Sequence, residues 1–310
     1  MRIAFVNTLF EAAKKDKRIT LLTADLGFSV FEEFMEKLPR QYLNVGVAEQ
    51  NMTGVAAGMA MQGKVPVIYS IVPFVTMRNF EQLRDDICYQ GLNVKVVGVG
   101  SGFSYGPYGH THHGLEDIGI VRTIPGITVF APGDPVETKL VTRAALSIKG
   151  PVYIRLGKAG EPKIHSKLPK FSMGKGIVIR QGGDVILFSC GTMLPTAMQV
   201  SDILKRKYSV GVVSIHTIKP LDESLIIKLS KRARAIFTIE EHAKIGGLGS
   251  ATAEVLAEQS ISTIFKRFGT PDRFTKVSGL QEYMREANGL LPDQIASEID
   301  KVIKGGNEKS

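Results

Sequence analysis

The 310-residue sequence contains no tryptophan and only two cysteines, Cys88 and Cys190. Cysteines so sparse and so far apart exclude a disulfide framework and a CxxC motif, and a reduced, cytoplasmic protein is expected. Long apolar runs are absent too. The longest, "VPVIYSIVPFV" over residues 65–75, is too short to cross a bilayer and contains Pro66 and Pro73, so no membrane partner is expected. The N-terminal "MRIAFVNTLFEAAKKDKR" has no extended apolar segment and no small-residue cleavage site, so it does not read as a signal peptide. There is no internal repeat and no low-complexity block. Lysine and arginine outnumber aspartate and glutamate 39 to 30, a net charge of +9. That excess suits nucleic acid or a site for phosphorylated small molecules. The basic residues are dispersed, however, and the one dense patch, "KRAR" at 231–234, ends a predicted helix, where cations complement the dipole. With no stacking-aromatic motif, nucleic acid is not an expected partner.

What is present is an alternation of short β-branched runs with longer helical stretches. Strands are predicted at "TLLTAD", "VPVIYSIV", "NVKVVGVG", "ITVFAP" and "PVYIRL", with helices around 52–62, 80–89, 115–122 and 136–148. Residues 161–180, rich in Lys, Gly and Pro, read as a linker. The alternation then resumes with strands "DVILFSCG", "SVGVVSI" and "AIFTIEE", with helices near 195–207, 223–233 and 250–259. The expected fold is therefore α/β, two doubly wound and mostly parallel domains over 1–160 and 181–310. The final "GGNEKS" reads as a frayed tail.

Three stretches carry chemistry. "NVGVAEQNMTGVAAGMAMQG" (44–63) sets Glu49 at a helix entry among small residues that allow close packing around its carboxylate. An acid there is favoured by the helix dipole alone, but a carboxylate shut into such a place also suits proton sharing. "YSIVPFVTMRNFEQLRDDI" (69–87) runs from a strand end through Phe74 and Phe80, either core or pocket. "PYGHTHHGLEDIG" (107–119) packs three of the six histidines, His110, His112 and His113, into a glycine-rich loop at a strand's carboxyl end, where α/β proteins bind ligands. Zinc would need all three to converge from one loop, without Cys and without H-x₃₋₅-H spacing. A substrate loop is the better reading.

In order, the chain reads AEQN, F-V-T-x-R-x-F-E-Q, G-x-x-G-x-T-H-x-x-L-E-D, I-x-R, T-I-K-P-L-D and E-E-H-x-x-x-G-G-L-G-S. The set is collinear from about Leu21 to about Asp300 and resembles the C-terminal half of transketolase, especially the small subunit of a transketolase split over two chains. The resemblance implies a pyrimidine-binding domain, a C-terminal transketolase domain, and thiamine diphosphate at an interface between chains. It makes Glu49 the acid that shares a proton with the cofactor's aminopyrimidine and Phe74 the ring that stacks on it. Met77 and Phe80 would wall the pocket. His112 becomes the loop histidine on the sugar oxygens, and Arg155 the holder of a substrate phosphate.

Three departures from the family pattern stand out. Tyr108 replaces an acid before the T-H pair, the stretch "GVGSGFS" (98–104) lacks a basic residue, and Ile71 stands for an aromatic. Tyr108 is thus a candidate sugar contact, and His110 and His113 are open, as solvent-facing residues or further sugar contacts. The chain also lacks the GDG…N segment through which Mg²⁺ or Ca²⁺ holds the diphosphate. The implied partner is an N-terminal subunit carrying that segment, in an α2β2 assembly with self-association of this chain. The expected reaction is transfer of a two-carbon ketol unit from a ketose, expected as its phosphate, to an aldose. Alternatives are the β subunit of a 2-oxoacid dehydrogenase E1 component, the fused 1-deoxyxylulose-5-phosphate synthase, and an inactive α/β binding module.

Overall fold

The computed structural model describes residues 1–27 and 29–307. In the N-terminal part the strands are β1 (Ile19–Thr23), β2 (Tyr42–Asn44), β3 (Val65–Ile71), β4 (Lys95–Val99), β5 (Thr128–Phe130) and β6 (Val152–Leu156). The C-terminal part contributes β7 (Ile177–Arg180), β8 (Val185–Ser189), β9 (Val210–Ser214), β10 (Thr217–Lys219), β11 (Ala235–Ala243) and β12 (Ile264–Thr270). They form a seven-stranded sheet, β10-β5-β6-β4-β3-β1-β2, and a five-stranded sheet, β12-β11-β8-β9-β7. All pairings are parallel except β10 with β5 and β7 with β9, both antiparallel edges. The expected α/β class, with two mostly parallel sheets, is what the chain adopts.

The central strands are Val- and Ile-rich and buried along their whole length, as sheets covered on both faces require. Helices flank them with local stop and start signals. Asp134 caps helix Pro135–Ser147 by accepting the Glu137 N–H at 2.7 Å, and Pro135 stands in the first turn, where no N–H is needed. Asp222 caps Glu223–Ser230 in the same way.

The two parts are not separable beads. One buried cluster runs from Met52, Ile68 and Ile118 to Ile186, Phe188, Val213 and Ile236. β10 leaves the second domain to pair with β5, Thr217 opposite Phe130. The predicted linker is pinned as well, since the Ile164 and His165 N–H groups donate to Asp134 Oδ2 at 2.9 and 3.0 Å. Its last four residues are β7 rather than connection, because Ile177 and Val178 pair with β9. Of the predicted tail, 305–307 continue helix Pro292–Asn307, and 308–310 lie outside the described residues.

Candidate active site

Glu49 opens helix Glu49–Met61, which follows β2, and its side chain is only 1% exposed. Two donors reach the carboxylate. Ser70 Oγ, near the end of β3, donates to Oε1 at 2.9 Å, and Arg78 Nη1 donates to Oε2 at 2.7 Å. The chain leaves β3 directly into helix Val72–Thr76, which carries Phe74. Four residues beyond Phe74, the Arg78 guanidinium lies over its ring at 4.3 Å. Glu49 and Phe74 therefore face one another across a single planar cation. Arg78 is the arginine of the F-V-T-x-R-x-F-E-Q stretch, to which the sequence assigned no role although its i+4 spacing from Phe74 was a usable signal.

The loop after β4 closes over this place. Gly102 has φ +61 and its Cα sits so close to Glu241 that an added Cβ would lie 2.4 Å from the carboxylate, so glycine is required there. Gly102 and Gly114 exchange N–H···O bonds of 2.8 and 3.0 Å that tie the loop's base. The second domain fixes the loop's outer part. Ser278 Oγ donates to the carbonyls of Gly106 and Pro107, each at 3.1 Å. Buried Glu241 gathers Arg285 Nε at 2.8 Å, Thr192 Oγ1 at 2.8 Å and Gln281 Nε2 at 2.9 Å.

The three loop histidines point three ways, which removes any shared metal site. The His112 ring lies 5.1 Å from Phe74, edge to face, with Tyr108 tilted against it at 5.3 Å. Burial, and after it the charge of Arg78, hold the His112 pKa below its ordinary 6.5, so the ring is neutral at pH 7. His113 is buried on Phe103, and its Nε2 donates to the Gly106 carbonyl at 3.3 Å. Its place is inside the loop. His110 is exposed and meets Phe274 at 4.2 Å. It lines a groove of about 810 Å³ with Glu116, Ile120, Ile245 and Phe274, between the domains. Among the described residues no group of three or more His, Cys, Asp or Glu could hold a metal ion.

Two further expectations change. Arg155 is 1% exposed and held through two of its three guanidinium nitrogens: Nε donates to Asp117 Oδ2 at 2.8 Å, and Nη2 to the carbonyls of Gly114 at 2.7 Å and Glu241 at 2.9 Å. Tyr153 donates to the same Asp117 oxygen at 2.7 Å. The guanidinium ties β6 to the substrate loop and the second domain. The cation at the end of β6 is half-buried Lys158, its Nζ 4.9 Å over the Tyr105 ring. Phe80 packs against the main core, and Met77 is half-buried in the turn before Arg78. Tyr108 is 63% exposed at the mouth.

Glu49, Phe74, His112 and Lys158 thus all follow carboxyl ends of parallel strands, where open α/β sheets bind ligands. Residues 1–161 match the transketolase pyrimidine binding domain, and residues 174–295 the transketolase C-terminal domain. The chain belongs to the transketolase family. Its transketolase relatives include the 6-deoxy-6-sulfo-D-fructose transketolase subunit SqwH of Clostridium sp. (strain MSTE9), 38% identical over 99% of this chain and 95% of that one. A putative transketolase C-terminal section from Methanocaldococcus jannaschii is also 38% identical, over 98% and 96%. A subunit of the apulose-4-phosphate transketolase of Actinobacillus succinogenes is 37% identical over 84% and 85%. Among solved structures, a split gene transketolase described as an inactive β4 tetramer superposes with TM-score 0.89 at 34% identity, covering 98% of each chain. The 1-deoxy-D-xylulose-5-phosphate synthase of Crocosphaera subtropica is 36% identical, but this chain spans 48% of it. In extent the chain corresponds to the C-terminal subunit of a split transketolase.

Proposed function

We propose that this chain is the C-terminal subunit of a two-chain, thiamine-diphosphate-dependent transketolase that moves a two-carbon ketol unit from a ketose to an aldose. One observation carries the reading: Glu49 and Phe74 already grip a flat, hydrogen-bond-donating group, the Arg78 guanidinium, beneath the His112 loop. A stacking face, a carboxylate and a neutral imidazole around one flat place fit the aminopyrimidine end of thiamine diphosphate. When bound, that cofactor supplies the ring carbon that carries the two-carbon unit. Glu49 would share a proton with the pyrimidine's ring nitrogen, and Phe74 would cover its face. His112, neutral at pH 7, would hydrogen-bond the sugar oxygens and pass protons.

The diphosphate and its Mg²⁺ or Ca²⁺ fall to a partner chain with GDG…N, in an α2β2 assembly in which this chain also self-associates. A related split-gene chain that is an inactive β4 tetramer is in keeping with activity needing a second chain. Relatives named for a 6-sulfo ketose and a ketose 4-phosphate favour a donor with an anionic end. Lys158, rather than Arg155, is then the cation for it. The test is ketol transfer by this chain, by its partner and by the mixture. Activity only in the mixture is expected. Full activity of the chain alone would overturn the reading, and oxidative decarboxylation by the mixture would favour the 2-oxoacid dehydrogenase alternative.

A further inference from the structure

We propose that Arg78 is a resident stand-in for the cofactor's pyrimidine, closing this half-site in the free chain and giving way when thiamine diphosphate enters. The inference rests on the reading of Glu49 and Phe74 given above. Its basis is that Arg78 meets, with one side chain, both features that a pyrimidine would meet. Its Nη1 donates to Glu49 Oε2 at 2.7 Å while its plane lies over Phe74, Cζ 4.3 Å from the ring centroid. A guanidinium suits this substitution because it is flat, stacks on aromatic faces and presents donors along its edge. Two flat groups cannot occupy one face of Phe74 and one oxygen of Glu49 together. Entry of the cofactor therefore requires Arg78 to leave.

The surroundings make leaving inexpensive. The Arg78 side chain is 42% exposed, while the carboxylate it covers is 1% exposed. Rotation outward costs the arginine little contact, because it already borders solvent. The carboxylate is the group that cannot be left alone. With Ser70 alone, one oxygen of Glu49 would be buried without a donor, which is costly in the free subunit. Arg78 supplies that donor until the pyrimidine does. It also sets the charge state of its neighbour, since its positive charge is one reason the His112 pKa is lowered. Displacement outward would relieve that influence and leave a cation at the mouth of the site.

A closed form reduces apparent affinity by the fraction of molecules that are open. If Arg78 fills the place in about nine of ten molecules, removing it tightens binding about tenfold. The experiment is calorimetric titration of the two-chain complex with thiamine diphosphate at saturating Mg²⁺, comparing wild type, Arg78→Ala and Arg78→Gln. Expected are tighter binding by both variants, by roughly three- to thirtyfold, and a lower unfolding temperature that cofactor restores. Arg78→Gln keeps a neutral donor within reach of Glu49, so it preserves a folded test protein if the alanine variant aggregates. Equal or weaker cofactor binding by folded variants would overturn the proposal, the weaker case making Arg78 a ligand of the loaded site. If neither wild type nor variants bind the cofactor, the thiamine reading itself has failed.

Discussion

Replacing Arg155 with alanine should damage folding before it damages substrate binding. The guanidinium lies between Asp117 on one side and the Gly114 and Glu241 carbonyls on the other, with 1% of the side chain exposed. Truncation leaves Asp117 buried with Tyr153 as its remaining partner, because its Oδ1 already has none. Breaking a buried ion pair from one side costs about 3–5 kcal/mol. For a chain of this size that corresponds to a fall in Tm of roughly 5–8 °C. Removing both charges, as Asp117→Leu with Arg155→Met, should cost less than the sum of the single changes, because no lone charge is left inside. Thermal and urea unfolding of the single and double variants measure this, alongside KM in the reconstituted enzyme. A stable Arg155→Ala protein whose only defect is a raised KM for phosphorylated sugar would refute the reasoning and return Arg155 to the substrate.

Lys158→Ala should raise KM for an anionic ketose about ten- to hundredfold, with a smaller effect on the uncharged analogue; equal effects on both would remove Lys158 from the site. Gly102→Ala should lower kcat/KM by loosening the loop that carries His112, since its Cβ would meet Glu241 and its φ is +61; an unchanged steady state would contradict the clamp. His165 and buried Glu137 form a pH-dependent tie, Nε2 to Oε1 at 2.9 Å. Burial disfavours both charges, but Glu137 together with Asp134 raises His165 above 6.5, and His165 together with His216 and the Gly133 N–H lowers Glu137 below 4.5. The histidine's contribution is complete below pH 6.5 and lost as pH rises through its raised pKa. The glutamate's is present above pH 4.5 and lost as pH falls through its lowered pKa. Wild type should therefore exceed His165→Gln in stability most between about pH 4.5 and 6.5, and parallel stability curves would refute the pairing.

The long buried strands could be read directly because continuous β-branched runs such as "VILFS" admit few other structures. β10 could not. Its three residues "TIK" make no run of their own, and they pair with a strand from the other domain. The same stretch shows why motif order identified a family better than it identified a site. Lys219 of T-I-K-P-L-D donates to the Arg122 and Ile124 carbonyls at the end of helix Asp117–Arg122, and Asp222 caps the next helix. In E-E-H, Glu240 accepts the N–H groups of Leu248 and Gly249, and Glu241 holds Arg285 and Gln281, the latter also donating to Ser104 Oγ in the substrate loop. His242 donates from Nδ1 to the Ala243 carbonyl and accepts the Gly119 N–H at Nε2. Lys219 and His242 are joints between the domains, while Asp222 and Glu240 brace the second domain itself. Glu49, Phe74 and His112 were singled out by the family resemblance, and the fold brings them together around Arg78 at neighbouring strand ends. Arg155 shows the limit of such a reading, because a charged residue inside a buried strand looks the same in sequence whether it meets a ligand or, as Arg155 does, an aspartate on another element.

The most direct test is hydrogen–deuterium exchange at C2 of thiamine diphosphate, followed by NMR in the two-chain complex with wild-type chain or Glu49→Gln. Loss of a positioned proton-sharing group should slow exchange about 10²–10⁴-fold while cofactor stays bound. Exchange at the wild-type rate in the variant would contradict the assignment of Glu49, and with it the half-site this chain is held to supply.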